Sequence, residues 1–450
     1  MTGVGVERKI VKCDLFISGG TVLTMTPESE PLPDGAVVVT SGEIVEVGSA
    51  AELVGKYRPA RGLDAGGGLI LPGFVNTHTH LAMTLLRGLA DDLPLMEWLE
   101  KHIWPTERVL MNAEMVVLGT RLAAAESLQA GVTCVCDMYF HAERVIETVV
   151  AAGLRAVVPE AMIDFATPSC PTPEDALAVQ RELLERYRSH PLVVPAVAPH
   201  SPYTVSAAHL AREAELAEEF GAPLIIHLAE TRWEAEKIKS EKGVSPVAYL
   251  ADLGILSERT VAAHCVHVTE EDLRVLAELE VGVASNPVSN LKLSSGVAPV
   301  PQMLELGIKV GFGTDGAASN NTLDLLRDAQ LASLLYKGLT GDPTRMQART
   351  IVEMLTIGGA KVLGLSDRIG TLEAGKRADV VCFALDHPRT VPVYDPYSHL
   401  AYAARSADVR HVVVDGRVVV QDRALINTDV DSLLDEVREA AARARELLAP

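Results

Sequence analysis

Two histidines, His78 and His80, stand two residues apart in the run PGFVNTHTH. On a strand that spacing sends both side chains to one face, where two imidazoles can meet one ion. A lone pair of this kind also arises from chance or structural histidines. His227 and Asp315 complete a set of three nitrogen donors and one oxygen donor. Such a set suits Zn²⁺, with Fe²⁺ as the alternative, and leaves a position open for water. Glu230 follows His227 by three in HLAE. A carboxylate there can take a proton from an activated water and return it to a leaving group; the plainer reading is a solvated loop glutamate. His264, in AAHCVH, can orient the water or donate to developing charge, or be a satisfied core histidine. His267 reads as part of a loop or helix start.

These residues need a scaffold that brings distant segments together. The middle of the chain carries eight apolar runs: LILPGFVNTHTH, GVTCVCDM, LRAVVPEAM, LVVPAVAPHS, APLIIHLAE, RTVAAHCVH, VGVASNP and IKVGFGTD. Stretches such as Ala113–Leu128, Pro173–Ser189 and Ala207–Phe220 lie between them, with the three-and-four apolar spacing of amphipathic helices. Continuous apolar strands alternating with helices indicate a parallel sheet covered on both faces, and eight in about 250 residues match a closed (β/α)8 barrel. Catalytic groups in such barrels sit at the C-terminal strand ends. Strand one ends in His78-Thr79-His80, strand four in His200, strand five in His227, strand six in His264 and strand eight in Asp315. The rival, an open doubly wound sheet, is weakened because the glycine-rich turn Gly66–Gly68 runs into a strand, not into a helix. Asn286–Asn290 reads as a polar loop at the same mouth, and Gly316–Asn321 as caps for a helix starting near Thr322.

Both ends of the chain read as short strands punctuated by Gly and Asp, as in a small antiparallel β domain. The expected organisation is a composite β-sandwich from residues 1–66 and 367–430, a metal-dependent barrel over 67–366, and a C-terminal helix in 431–450. The formal charge of −20 argues against a nucleic acid polymer as partner. No apolar run is long enough for a membrane span and no secretory signal is visible, so a cytoplasmic protein is expected. Six scattered cysteines without a CxxC pair fit a reducing compartment. Cys134 and Cys136 read as small buried apolar residues. His102, His141, His190, His209, His387, His399 and His411 read as structural or surface groups.

PGFVNTHTH, HLAE, HCVH, SNPVSNLKLSSGVAPV and GTDGAASNN resemble the amidohydrolase superfamily. PLMEWLEKHIWPTE, DMYFH, APHSPYTVS and NLKLSSG resemble, more narrowly, the 5-methylthioadenosine/S-adenosylhomocysteine deaminases, through nearly the whole chain. The resemblance implies one zinc per subunit on His78, His80, His227 and Asp315, with iron as the alternative. His200 stands where binuclear relatives carry a carboxylated lysine, which implies a mononuclear site. It further implies that Glu107 holds the ribose hydroxyls, that His200, Glu230 and Asp315 contact a small nucleoside substrate, and that Glu230, His264 and Asp315 carry the chemistry. Water would replace the adenine amino group at C6, releasing ammonia. Self-association is also implied. The runner-up is another amidohydrolase: a guanine, cytosine or triazine deaminase, or a chlorohydrolase. A catalytically silent scaffold would be expected to have lost metal ligands. One departure stands out. Arginines near strand three are expected in members that take S-adenosylhomocysteine, yet Glu160 occupies the matching position and FATPSCPTPED supplies no cation. An acidic group facing the tail would disfavour its carboxylate, so 5-methylthioadenosine, 5′-deoxyadenosine or adenosine is expected instead.

Overall fold

The computed structural model describes residues 10–448; Met1–Arg8 and Lys9 of the expected first segment, and Ala449 and Pro450 of the last, lie outside them. The chain opens with β1 (Val11–Val22), β2 (Leu32–Thr40), β3 (Glu43–Ser49) and β4 (Tyr57–Pro72). Eight strands then form one sheet: β5 (Phe74–Thr79), β6 (Val132–Asp137), β7 (Arg155–Met162), β8 (Val193–Pro199), β9 (Leu224–Leu228), β10 (Thr260–His264), β11 (Gly282–Ser285) and β12 (Lys309–Phe312). Four more strands follow: β13 (Val380–Phe383), β14 (Val409–Val414), β15 (Arg417–Gln421) and β16 (Ala424–Leu425).

Neighbours β5 to β12 pair in sequence order, and every pairing is parallel. The sheet is a near-closed barrel of the (β/α)8 type. Hydrogen bonds join its first and last strands: Thr77 Oγ1 donates to the Phe312 carbonyl at 2.9 Å, and the Asp315 amide donates to the His78 carbonyl at 3.0 Å. Small residues permit that approach. A Cβ on Gly313 would lie 2.2 Å from Asn286 Oδ1 and 2.9 Å from the His78 carbonyl oxygen. The closure therefore fixes His78 against Asp315.

Helices cover the outside, with ends set by local chemistry. Asn112 accepts from the Glu114 and Met115 amides at the start of Ala113–Gln129. Thr172 and Asp175 form a reciprocal capping box on Pro173–Tyr187. Gly221, at φ 60°, ends Ala207–Phe220 in the left-handed conformation that glycine adopts readily. The helix expected from Thr322 begins later, as Leu325–Thr340. Asp324, not the upstream polar run, caps it by accepting from the Arg327 amide at 3.1 Å. Gly316–Asn321 instead encloses a short helical turn, Ala317–Asn320. The polar run after β11 is also a short helix, Pro287–Lys292, and not an open loop.

The two chain ends make a second sheet in the order β16-β15-β14-β13-β4-β1-β2-β3. Leu15, Ile17, Val37, Val39 and Ile70 from its first part share a core with Val380, Cys382, Val413 and Val418 from its second, as in a small sandwich. Its strands are not all antiparallel as expected. β1 and β4 pair in parallel, because the β2–β3 hairpin lies on one side of β1 and the chain then crosses through Ala50–Leu53 to lay β4 on the other. Gly66 and Gly67 adopt φ of 61° and 78°, and a Cβ on Gly68 would lie 2.0 Å from the Phe383 carbonyl oxygen. The glycine run thus bends a strand. The expected boundary at residues 66/67 falls inside β4, since Leu69–Pro72 pair with β13. The apolar run LILPGFVNTHTH therefore serves two sheets, divided at Gly73.

Arg155, on β7 and 1% exposed, joins the two units. Its Nε and Nη2 donate to Asp379 Oδ2 and Oδ1 at 2.8 and 3.0 Å. The C-terminal helix Val430–Leu447 buries Leu433 and Ala440 against Leu118 and Ala125. All six cysteines are buried and unpaired. Among the described residues no helix is long and apolar enough to cross a membrane.

Candidate active site

The carboxyl ends of the barrel strands bring the selected residues to one place. His78 ends β5 with both ring nitrogens buried and without a hydrogen-bond partner. Its Nε2 lies 3.5 Å from Asp315 Oδ1, and His80 Nε2 lies 3.1 Å from the same atom. Donor atoms of His78, His80 and Asp315 fall within 4.8 Å of one another, as do those of His78, His227 and His264. The two triads share His78. His264, assigned a water-orienting role from the sequence, therefore also lies within reach of an ion.

The surroundings fix which nitrogens face inward. His227 Nδ1 donates to the His200 carbonyl at 2.8 Å, and His80 Nδ1 to the Met138 carbonyl at 2.5 Å. Each bond leaves Nε2 as the free acceptor, the tautomer a metal-binding imidazole needs. Asp315 Oδ2 accepts from Ser289 and Ser319 at 2.6 and 2.9 Å, which turns Oδ1 toward the histidines. The orphaned His78 nitrogens, the oriented Nε2 atoms and the turned carboxylate fit a divalent cation. Burial dominates the protonation of this cluster. It pushes His78 down to about 4 and His200 down to about 3. On His80 the Asp315 carboxylate overcomes burial and raises the imidazole to about 9, while Asp315 is held well below the usual carboxylate range by the His78 and His80 rings; a cation bound at His80 Nε2 would displace the proton those groups share. Ala229, His264, Cys265 and Asp315 all have φ between 47° and 75°. Such backbone costs about 1–3 kcal/mol per residue and concentrates at functional sites.

Glu230 is buried at the end of β9, with Oε2 3.8 Å from His264 Nε2. Ser295 donates to its Oε1 at 3.3 Å, and burial raises its pKa. The Ala229 and Glu230 amides donate to Glu234, so the turn carrying Glu230 is held from the next helix. His264 Nδ1 meets Asn290 Oδ1 at 2.8 Å, directing Nε2 toward Glu230.

A cavity opens above the cluster. His80, His200, His227, Glu230, His264 and Asp315 form one end, and Glu107 stands in the wall together with Tyr139. Tyr139 donates to Glu107 Oε1 at 2.7 Å, and burial raises that carboxyl to about 7. The segment from Leu95 to Leu110 roofs the space. Its helix contains a wide π-type turn over Leu99–Ile103, and Trp98, Leu99, Ile103, Trp104 and Glu107 all line the cavity. An inserted residue of this kind re-aims the side chains that follow it. The roles of Tyr139, Ser289, Ser319, Asn290 and Ser295 were not read from the sequence. Tyr139 carried a signal, since DMYFH lies at the end of strand two, and so did Ser289 and Asn290, in the polar run at the same mouth; Ser295 and Ser319 carried none.

Glu160 does not face the cavity. Its carboxylate accepts from the Ala142 and His141 amides, at 2.7 and 3.3 Å, and from the Ser169 hydroxyl. It caps the helix Ala142–Ala152 from behind the barrel wall. The expectation that Glu160 would repel an anionic substrate tail is therefore withdrawn. The side chains of β7 alternate, and Ala161 and Ile163 are the ones lining the cavity.

A barrel with metal-competent residues at its mouth, flanked by a sandwich built from both chain ends, defines a class of hydrolase. The profile of the Amidohydrolase family matches residues 69–419, and the chain belongs to that family. It is a hydrolytic deaminase acting on a carbon–nitrogen bond. Within the family it groups with the 5-methylthioadenosine/S-adenosylhomocysteine deaminases. It is 48% identical over 430 residues to the one from Syntrophobacter fumaroxidans, covering 96% of this chain and 98% of that one. An adenosine deaminase from Xanthomonas campestris with bound zinc superposes with a TM-score of 0.96 at 39% identity, covering 97% of this chain and all of that one. An atrazine chlorohydrolase from Arthrobacter aurescens complexed with zinc has a TM-score of 0.87 at 26% identity, covering 95% and 100%.

Proposed function

We propose that the chain removes the 6-amino group of 5′-modified adenosines, giving the inosine analogue and ammonia, with 5-methylthioadenosine as the leading substrate. One observation carries this reading. The same cavity has a metal-competent cluster at one end and the buried Glu107 carboxylate in its wall. Glu107 can accept from two vicinal ribose hydroxyls, and Tyr139 holds it in place. Trp104, Phe140 and Ile163 give the space beyond it an apolar, aromatic wall that suits a thioether better than a free hydroxyl.

His78, His80, His227 and Asp315 would hold one zinc, or iron. An ion there supplies Lewis acidity and a water whose pKa falls toward neutrality. The residues do the remaining work. Glu230 accepts a proton from the attacking water at Oε2 and passes it to the ring nitrogen next to C6; it then takes the second proton, released by the oxygen on C6 as the carbonyl forms, and delivers it to the departing amine. Its raised pKa suits a group that must both accept and donate. His264, whose Nδ1 donates to Asn290 Oδ1, presents Nε2 as an acceptor that orients the attacking water beside Glu230. Asp315, fixed by Ser289 and Ser319, orients the water. His200 has Nδ1 placed 3.0 Å from Thr204 Oγ1, so Nε2 is free to contact the nucleoside.

Steady-state ammonia release from 5-methylthioadenosine, S-adenosylhomocysteine, 5′-deoxyadenosine, adenosine and guanine tests the reading. The adenosine compounds should exceed guanine by at least 100-fold in kcat/KM. Preferred turnover of guanine or a chlorotriazine would overturn it.

A further inference from the structure

Beside Glu230 the wall of the main cavity is thin, and a second cleft lies behind it. Among the described residues, Leu95 and Leu293 are the two that line both spaces. Both are buried. Leu95 comes from the roof segment, and Leu293 follows the short helix Pro287–Lys292. Thr231, Trp233, His267 and Ser295 stand on the far side. Glu230 lines the main cavity, whereas Ser295, which donates to its Oε1 at 3.3 Å, lines the cleft. The Glu230 carboxylate therefore stands at the partition itself.

Purine connectivity decides what faces that partition. The ring nitrogen served by Glu230 is bonded on one side to C6 and on the other to C2. With C6 at the ion-binding end and this nitrogen at Glu230, C2 is the next atom along the same edge, and its substituent points at the leucines. A hydrogen there meets only methyl groups. Anything larger must push the partition back, and the partition is braced. The Leu293 amide donates to the Ser289 carbonyl at 2.9 Å, and the Ser289 hydroxyl donates to Asp315 at 2.6 Å. The Ser295 amide donates to the carbonyl of Asn290, whose side chain holds His264, and His267 Nε2 donates to the Ser295 carbonyl at 2.7 Å. Moving this wall would displace the partners of Asp315 and His264, so it discriminates by shape.

We propose that Leu95 and Leu293 select adenine rings that carry only hydrogen at C2, and that the cleft behind them houses a C2 substituent once this partition is cut back. The assignment rests on the nucleoside reading given above and adds to it which edge of the ring is policed, and by which residues.

The test uses 5-methylthioadenosine carrying an amino or a butylamino group at C2. The kcat/KM of each is divided by that of the unsubstituted compound, in wild type, Leu293→Ala, Leu95→Ala and Leu99→Ala. Such a ratio does not depend on the fraction of protein that is folded, and comparing it between variants cancels the electronic effect of the substituent. Wild type should disfavour both compounds by about tenfold or more. Leu293→Ala should raise both ratios by about tenfold or more, and Leu95→Ala should raise them in the same direction. Leu99 lines the main cavity but not the cleft, so Leu99→Ala should leave both ratios where wild type has them. A wild type that accepts the substituted compounds as well as the parent overturns the proposal. So do unchanged ratios in both Leu95 and Leu293 variants, or an equal rise in Leu99→Ala. A gain for the amino compound without one for the butylamino compound overturns the role of the cleft. Failure of the wild type on every unsubstituted adenosine compound would instead overturn the nucleoside reading itself.

Discussion

Replacing Glu230 with glutamine removes the proton carrier and little else. Gln is nearly isosteric, and its Oε1 can still accept from Ser295, now 3.3 Å from Glu230 Oε1. None of the proposed metal ligands contacts Ser295, so the ion and the fold should persist. What disappears is a group able to take a proton from water and give it back within one turnover. Positioned acid–base catalysis contributes about 10²–10⁴-fold, equivalent to about 3–5 kcal/mol of barrier. Glu230 is asked to act at two steps, which places the expected loss of kcat toward the upper end. KM should change less than threefold, because the substrate still meets Glu107 and the apolar walls. Coupled ammonia release measures kcat, and elemental analysis of the same sample measures metal. Glu230→Gln that keeps its metal and still releases ammonia within a factor of ten of wild type would refute the assignment. Loss of metal in that variant would show that Glu230 belongs to the ligand set.

Two further expectations concern stability. Asp379→Ala leaves the Arg155 guanidinium buried with the Pro191 carbonyl at 2.8 Å and the Asp415 carboxylate at 3.2 Å, and should cost about 3 kcal/mol in urea unfolding; a change under 1 kcal/mol would mean the two units do not depend on this pair. Glu213 is fully buried on Ala207–Phe220, and burial pushes its carboxyl up to about 8. The folded state therefore keeps a proton that the unfolded chain gives up near its ordinary value, so this residue's contribution falls as pH rises from about 4.5 to 8, by about 1 kcal/mol per pH unit. Glu213→Gln should gain on wild type progressively between pH 5.5 and 7.5; parallel pH–stability curves would contradict it.

Patterns of strand and helix were legible because buried parallel strands read as continuous apolar runs and their helices as amphipathic stretches. The donor residues were legible for the same reason, since polar groups at the ends of apolar runs stand out. The strand ends placed His78, His80, His200, His227, His264 and Asp315 around one mouth without any contact being known. Pairing was less visible. The parallel β1–β4 ladder depends on which strand lies next in space, and LILPGFVNTHTH gave no hint of the break at Gly73 because both halves are equally apolar. Side-chain facing was the hardest to read. Glu160 sits one residue from a cavity-lining position, and on a strand one step reverses the face. Glu107 was reached only through resemblance, because an isolated glutamate on a helix looks like a solvated one.

Elemental analysis of purified protein and of four single variants tests whether these side chains meet on one ion. Wild type should carry about one zinc or iron per chain. His78→Ala, His80→Ala, His227→Ala and Asp315→Ala should each lose most of it, while Glu107→Gln retains it. An active wild type without metal, or variants as fully loaded as wild type, would contradict the convergence of these side chains on one ion.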